Sequence, residues 1–150
     1  MSGLDALYQS IILEHSKARH GSPIADHAVA EGTATASSHQ LNPVCGDEIT
    51  VRVGVKGDTI ESLRWDGAGC AISMASASVL SDLFTGMERA EARELIEEFR
   101  AVMRSRGQLV PDEEVLGEAA AFGGVSRYAA RVKCAMLSWV AAEDALNQLS

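Results

Sequence analysis

The chain has 150 residues, 47 % of them hydrophobic, and a formal net charge of −8. This length and apolar content predict one domain over residues 1–150, because the chain can bury a core of its own and no proline- or serine-rich linker divides it. The acidic balance argues against a nucleic-acid partner, which requires clustered lysine and arginine.

The chain carries no pattern typical of a membrane or secreted protein. No run approaches the roughly 20 apolar residues of a membrane span, and the first residues, MSGLDALYQSIILEHSKARHG, lack a basic leader before an apolar stretch. We therefore expect a cytoplasmic protein without a membrane partner, in which thiols stay reduced. The three cysteines are an odd number, so they cannot all pair in internal disulfides.

The first predicted element is a helix that ends near Gly21-Ser22-Pro23. Its apolar residues recur at helical spacing: Leu4, Leu7, Tyr8, Ile11 and Ile12. The small and polar residues that follow, up to Pro43, predict an extended surface loop. The four histidines lie in or near this region without the H-x-x-x-H spacing of a metal site, and we interpret them as solvated: His15, His20, His27 and His39.

A β-hairpin follows the loop. Apolar residues alternate with polar or small ones at Ile49, Val51, Val53 and Val55, and a turn at KGD leads into a second strand, TIESLRWDG. A short strand around residues 34–38 would complete a sheet of about three antiparallel strands. The predicted fold class is therefore α+β, with a small antiparallel sheet packed by helices.

The second half of the chain predicts helices. One lies in GAGCAISMASASVLSDLFTGM, with Gly86 at its C-terminal end, and a charged amphipathic one lies in ERAEARELIEEFRAVMRSRG. A short helix is predicted from Pro111 to Ala121. A loop over FGGVSRYAARVKC and a last helix over AMLSWVAAEDALNQL complete the chain.

The three cysteines lie at predicted ends of elements, whereas core cysteines usually lie within them. Cys45 and Asp47 stand two residues apart at a strand entrance, so their side chains would leave one face of extended backbone. Cys70 follows two glycines at a strand-to-helix turn, and Cys134 lies near the start of the last helix. Singly, each cysteine is equally well explained as structural. Together with Asp47 they form a Cys3Asp set suited to tetrahedral zinc, if the fold brings them together.

Three longer motifs carry a family resemblance. NPVCGD, GAGCAISMASAS and RVKCAMLSW resemble the cysteine motifs of the SufU branch of the IscU/NifU-like family, and the likeness extends from LYQSIILEHSK to the last helix. It implies an α+β domain in which the three cysteines meet at one end of a small antiparallel sheet. It also implies a role in iron–sulfur cluster assembly.

Two branches of that family do different chemistry. The scaffold branch carries a histidine immediately before the third cysteine, where this chain has Lys133. The stretch from Cys70 to Cys134 is long, as in the SufU branch, with GQLVPDEEVLGEAAAFGG near the insertion. In the SufU branch the resemblance implies one zinc ion bound by Cys45, Asp47, Cys70 and Cys134.

The leading hypothesis from this resemblance is a zinc-dependent sulfur relay. A partner cysteine desulfurase, a pyridoxal-phosphate enzyme of the SufS type, would pass persulfide sulfur to Cys45 once that thiolate leaves the zinc. The sulfur would continue to a downstream iron–sulfur scaffold complex. Arg131, an arginine that the family pattern shares, would contact the persulfide or balance the formally dianionic site. It is partly a matter of convention whether a protein that relays sulfur on Cys45 is classified as an enzyme, namely a sulfurtransferase.

Two alternatives remain open at the level of the sequence. The same four residues would hold a transient 2Fe–2S cluster in a scaffold protein, against which Lys133 and the long central segment argue. The other alternative is a purely structural zinc domain, in which loss of Cys45 would change stability and nothing else.

Overall fold

The computed structural model describes residues 3–149, with side chains from residue 6 onward. The described chain begins with helix α1 (Gly3–Ala18), a 3-10 turn (Ile24–Asp26) and strands β1 (Ala34–Asn42), β2 (Asp47–Lys56) and β3 (Thr59–Ala68). Its second half contains α2 (Ala71–Phe84), α3 (Arg89–Arg104), α4 (Glu113–Leu116), a 3-10 segment (Gly117–Arg127) and α5 (Ala129–Gln148). The predicted α+β class is confirmed.

The strands form one antiparallel sheet in the order β1-β2-β3, as predicted. The alternating apolar residues of the central strand β2 are buried, with Val51 and Val53 fully inaccessible. β1 extends to Asn42, beyond the predicted residues 34–38, because it stays paired with β2 as far as Asn42 opposite Asp47. That register leaves residues 43–46 as a short loop at one end of the sheet.

Helices cover the sheet and enclose an aromatic core. α5 lies against β1 and β2, and α2 packs between α1 and α5. The Trp139 ring of α5 stacks on Phe99 of α3 with centroids 4.0 Å apart, and Phe84 of α2 meets Trp139 edge-on at 5.6 Å. Small residues let α2 approach α5 closely, so that Ser76 Oγ accepts from Trp139 Nε1 at 3.0 Å. In the described part of the chain, no helix is both long and apolar enough to span a lipid bilayer.

Two predicted boundaries in the second half are wrong. The helix expected from Pro111 to Ala121 is α-helical only over Glu113–Leu116, and 3-10 structure follows through residues that we predicted to be a loop. The last helix begins at Ala129 instead of Ala135, because two alanines directly after the extended Tyr128 can start a helix despite the preceding glycines. Cys134 therefore lies in the second turn of α5 and not near its start.

The interpretation of the histidines as solvated is wrong for His15. Its side chain is buried where α1 packs against α2 and the 3-10 segment, and its ring nitrogens lie 2.7 Å from Ser78 Oγ and 3.3 Å from Glu118 Oε2. The predicted apolar stripe of α1 is only partly covered, since Leu7 stays 54 % exposed. Leu4 of that stripe lies outside the described side chains.

A hydrogen bond from Tyr8 of α1 to Glu113 ties α1 to α4. This bond, burial and the nearby carboxylate charge raise the pKa of Tyr8 to about 12, because each disfavours the phenolate. In Tyr128→Phe protein, where Tyr8 is the remaining tyrosine, we expect phenolate absorbance with a midpoint near that value. Adding Glu113→Gln should lower the midpoint toward about 10.

The matched control for this titration is Glu114→Gln, which changes the neighbouring exposed carboxylate. It should leave the Tyr8 midpoint unchanged, with circular dichroism confirming that each variant is folded. Equal midpoints with and without Glu113→Gln would show that the contact does not control the ionisation of Tyr8.

Candidate functional site

Three of the predicted site residues reach one end of the sheet from different elements. Cys45 lies in the β1–β2 loop, Asp47 opens β2, and Cys70 is the residue that caps the N-terminus of α2. Cys134 reaches the same place from the second turn of α5. The strand pairing and the packing of α2 and α5 on the sheet therefore position all four side chains.

The four side chains form two close pairs. Cys134 Sγ is 3.9 Å from Cys45 Sγ, and Cys70 Sγ is 3.7 Å from Asp47 Oδ2. One donor atom each from Cys45, Asp47 and Cys134 can be chosen so that all three lie within 4.8 Å of one another. The structure thus brings together residues that are up to 89 positions apart in the chain.

Asp47 is the buried centre of the site. Its Oδ1 accepts from the Cys70 N–H at 3.0 Å and its Oδ2 from the Ser73 hydroxyl at 2.7 Å. The carboxylate comes so close to the start of α2 that a Cβ on Gly69 would lie 2.4 Å from Oδ1, which only glycine avoids. Burial opposes ionisation, but hydrogen bonds from Ser73, Cys134 and Cys70 outweigh it and hold the pKa of Asp47 below its usual range.

Ser73 is a site residue that sequence reasoning missed. Besides Asp47, its hydroxyl lies 3.3 Å from the Cys134 carbonyl oxygen and 3.6 Å from Cys70 Sγ. It therefore joins β2, α2 and α5 at the site. Its spacing from Cys70 could have indicated this role, because residues three positions apart at the start of a helix lie on the same face.

Cys45 does not share an extended strand with Asp47, contrary to our expectation. Residues 43–46 form a turn, with the Gly46 N–H donating to Asn42 O at 2.8 Å and the Val44 N–H to Asn42 Oδ1 at 3.2 Å. This curvature carries Cys45 toward α5. The three thiols consequently differ in exposure: Cys45 is exposed, Cys70 is half-buried and Cys134 is buried.

Cys134 is electrostatically suited to a neutral thiol unless a cation is present. Burial, hydrogen bonds with Asp47 and Cys70, and the negative charge of both neighbours raise the pKa of Cys134 far above its usual range. A divalent cation reverses this balance, because it attracts the thiolates and the carboxylate that otherwise repel one another.

The spacing of the donor atoms fits a tetrahedral zinc ion. Thiolate sulfurs bound at about 2.3 Å lie roughly 3.8 Å apart around tetrahedral zinc, and a sulfur lies roughly 3.6 Å from a carboxylate oxygen. The observed separations are 3.9 Å between Cys45 and Cys134 and 3.7 Å between Cys70 and Asp47. The donor types and these two separations therefore fit zinc, but the donor atoms that all lie within 4.8 Å of one another are those of Cys45, Asp47 and Cys134, without Cys70.

Arg131 is exposed on the first turn of α5, three residues before Cys134. It lines an apolar groove of about 1090 Å³, which α1, the start of α2 and the 109–111 segment also line. Among the described residues, the hydrogen bonds of the four clustered side chains do not include Arg131. Lys133, which also precedes Cys134, is exposed.

Comparison with known proteins places this site in a family. Residues 7–135 match the model of the NifU-like N terminal domain. The chain is 34 % identical, over 99 % of its length and 87 % of the relative's, to the iron–sulfur cluster assembly scaffold protein IscU of Streptococcus pyogenes serotype M1. It is 36 % identical, over 95 % of its length and 90 % of the relative's, to the zinc-dependent sulfurtransferase SufU of Bacillus subtilis strain 168.

A solved structure agrees with these sequence relationships. The crystal structure of a putative iron–sulfur cluster assembly scaffold protein for the SUF system from Fervidobacterium islandicum AW-1 superposes with a TM-score of 0.74 at 33 % identity, covering 91 % of this chain and 93 % of that one. The range 7–135 that matches the family model includes Cys45, Asp47, Cys70 and Cys134. The chain belongs to the family of NifU-like N-terminal domains.

Proposed function

We propose that this protein transfers sulfur in iron–sulfur cluster assembly. A pyridoxal-phosphate cysteine desulfurase of the SufS type supplies the sulfur as a persulfide, Cys45 accepts it, and an iron–sulfur scaffold complex downstream receives it. One zinc ion is held by Cys45, Asp47, Cys70 and Cys134. The names of the Streptococcus and Bacillus relatives both support a place in this process or its sulfur supply.

The difference in exposure among the three thiols carries this proposal. Cys45 is exposed on a four-residue loop. Cys134 lies on α5 with its side chain buried, and Cys70 is the N-terminal capping residue of α2. A donor on another protein can therefore reach Cys45 without disturbing a helix or the sheet. A purely structural site has no need for such an accessible ligand.

The transfer itself is a thiol–disulfide type of exchange without net oxidation. The Cys45 thiolate attacks the outer sulfur of the donor persulfide, a new S–S bond forms, and the bond to the donor cysteine breaks. The electron pair leaves with the donor as its thiolate. In the second transfer, an acceptor thiolate attacks the outer sulfur on Cys45, and Cys45 returns to the thiolate form.

The other residues keep the site assembled during these transfers. When bound, zinc keeps its sulfur ligands deprotonated at neutral pH. Asp47 anchors the start of α2 to β2 through the Cys70 N–H and Ser73, so three ligands keep their positions while Cys45 moves. Arg131, which is exposed on α5 three residues before Cys134, is proposed to meet the negative charge of an incoming persulfide.

A scaffold that assembles a 2Fe–2S cluster is the second candidate function. The printed names of the Streptococcus and Fervidobacterium proteins favour it, since both are described as scaffold proteins. Cysteine-rich sites hold such clusters through thiolates, so the same side chains would serve. The two functions differ in the metal that the purified protein contains.

Metal analysis of the purified protein tests the proposal. The chain is expressed without added metal, purified anaerobically and dialysed extensively against metal-free buffer. We expect a colourless protein with about one tightly held zinc ion per chain, as four protein ligands close a structural-type site. Elemental analysis and the visible spectrum check this.

The scaffold function predicts the opposite result in the same preparation. A brown protein that contains iron and acid-labile sulfide, and passes its cluster to an apo-ferredoxin, would overturn the sulfur-transfer proposal. The matched control is Cys134→Ser protein, which should lose the tightly held metal under either function and so sets the background of the metal analysis.

A further inference from the structure

A second group of metal-ligating side chains lies outside the thiolate site. His15 of α1, His20 in the turn after α1 and Asp82 of α2 can each place one donor atom so that all three lie within 4.8 Å of one another. We infer that His15, His20 and Asp82 form a second metal site, which takes a divalent ion of the zinc type. This inference does not depend on the function proposed for Cys45.

The backbone of the turn holds His20 beside α2. The His20 N–H donates to Ser78 Oγ at 2.9 Å, and the His20 carbonyl accepts from Trp65 Nε1 at 2.7 Å. Arg19, which precedes it, adopts a left-handed φ of +50° and places its guanidinium over the Trp65 ring, 4.7 Å from the centroid. A residue other than glycine in that conformation is uncommon and is kept only where its surroundings demand it.

Gly21 completes the turn by close contact with α2. Its φ is +84°, its carbonyl accepts from the Trp65 N–H at 3.0 Å, and a Cβ there would lie 2.1 Å from Ser81 Oγ. These contacts leave the turn little freedom. The position of His20 relative to Asp82 is therefore fixed by the fold and not by the attraction between the two side chains alone.

His15 has the surroundings of a metal-binding histidine. Its Nε2 faces Glu118 Oε2 at 3.3 Å, and its Nδ1 faces the α2 side, 2.7 Å from Ser78 Oγ. Metal-binding histidines commonly give the hydrogen of the far ring nitrogen to a carboxylate, which fixes the ring and raises its basicity. With that hydrogen directed to Glu118, the Nδ1 lone pair of His15 faces Ser78 Oγ at 2.7 Å, and Asp82 lies one turn further along α2. A metal ion at this site replaces the Ser78 contact of His15 Nδ1.

His20 and Asp82 supply the two remaining donors. His20 Nδ1 lies 2.7 Å from Asp82 Oδ2, and the two imidazole rings meet edge-on with centroids 5.0 Å apart. Ligands about 2.0–2.2 Å from tetrahedral zinc are roughly 3.3–3.6 Å apart, so His20 and Asp82 have to separate by about 0.6–0.9 Å. Both side chains are about half exposed, at 49 % and 46 %, and can make that movement.

The donor set predicts both the ion and its relative affinity. Two imidazole nitrogens and one carboxylate oxygen suit zinc and similar first-row divalent ions, with water in the fourth position. A thiolate-rich site binds zinc more tightly than this set, so extensive dialysis should leave zinc at the cysteines and remove it here. The second site is therefore observed when zinc is added.

Zinc titration of the chelator-treated full chain tests this inference. We expect isothermal titration calorimetry with zinc chloride to resolve about two binding events per chain, a tight one and a weaker one. His20→Ala and Asp82→Asn should each abolish the weaker event and keep the tight one. Both positions are exposed enough for the variants to fold, which thermal unfolding checks.

The matched control is His39→Ala. His39 Nε2 forms a comparable exposed pair with Glu48 Oε2 at 3.2 Å, but that pair has no second histidine. Two events should remain in this variant. Absence of the weaker event in the unmodified chain, its persistence in His20→Ala, or its loss in His39→Ala would each overturn the inference.

Cobalt(II) provides a second readout of the ligands. Added to protein that already holds about one zinc equivalent, cobalt should give d–d absorption without thiolate-to-metal charge-transfer bands, and His20→Ala should remove that absorption. Charge-transfer bands would place the second ion at the cysteines and overturn the inference. If the unmodified chain showed the weaker event without the tight one, the result would contradict the proposed function and still support this second metal site.

Discussion

Cys45→Ala is expected to abolish stimulation of the partner cysteine desulfurase, so that alanine formation from cysteine falls to the rate of the desulfurase alone. The physical reason is that no other exposed thiol remains, since Cys70 is half-buried and Cys134 is buried. Mass spectrometry should find one extra sulfur atom on Cys45 of the unmodified chain after turnover, and none on the variant. The unfolding free energy of the zinc-free variant should change by no more than about 0.5 kcal/mol, because Cys45 is exposed in a loop.

The matched control is Val44→Ala, at the neighbouring position of the same loop. Val44 is 77 % exposed and its truncation removes little buried surface, so stimulation should remain. If Cys45→Ala protein still stimulates the desulfurase fully, Cys45 is not the acceptor. If Cys45→Ala lowers the stability of the protein but leaves stimulation of the desulfurase unchanged, the chain is a purely structural zinc domain instead.

Asp47→Ala is expected to have the largest effect on the integrity of the site. It removes the acceptor of the Cys70 N–H and of the Ser73 hydroxyl at a position that is only 2 % exposed. Leaving donors without partners costs about 1–3 kcal/mol each, so the loss of two should lower the unfolding free energy of the zinc-free chain by about 2–6 kcal/mol. Urea unfolding with circular dichroism measures this, and chelator treatment removes any contribution from bound metal.

Zinc affinity should fall in the same variant. Loss of even an outer partner of a ligand weakens metal binding by about 10–100-fold, and Asp47 is proposed to bind directly, so competition with a chromogenic chelator should show a loss at least that large. The matched control is Glu48→Ala, which removes the adjacent exposed carboxylate. Equal stability and equal zinc affinity of Asp47→Ala and the unmodified chain would exclude Asp47 from the site.

The sequence predicted those elements whose local pattern agrees with their place in the fold. Alternation at Ile49 to Val55 identified the central strand, and its residues are buried as that alternation requires. Two glycines before Cys70 indicated the tight passage into α2, which the close approach of Gly69 to Asp47 explains. The joint position of Cys45, Asp47, Cys70 and Cys134 followed from the motifs that resemble a known family.

The remaining features depend on tertiary contacts that no local pattern encodes. His15 is buried because α2 and the 3-10 segment cover it, and its own neighbours in sequence carry no sign of this. The 3-10 path after α4 includes Phe122, whose side chain is fully buried in the core. Cys45 and Asp47 were expected on one strand because the position of the turn at residues 43–46 was not recognised.

The loop that carries Cys45 gives the four proposed zinc ligands different timescales of motion. Surface loops move in nanoseconds to microseconds, whereas residues held in packed helices and paired strands are released only by local unfolding, which is far slower. Cys45 belongs to the first group, and Asp47, Cys70 and Cys134 belong to the second. Under the proposed function, Cys45 therefore leaves and rejoins the zinc ion many times while the other three proposed ligands hold it, so that sulfur transfer does not wait for zinc release.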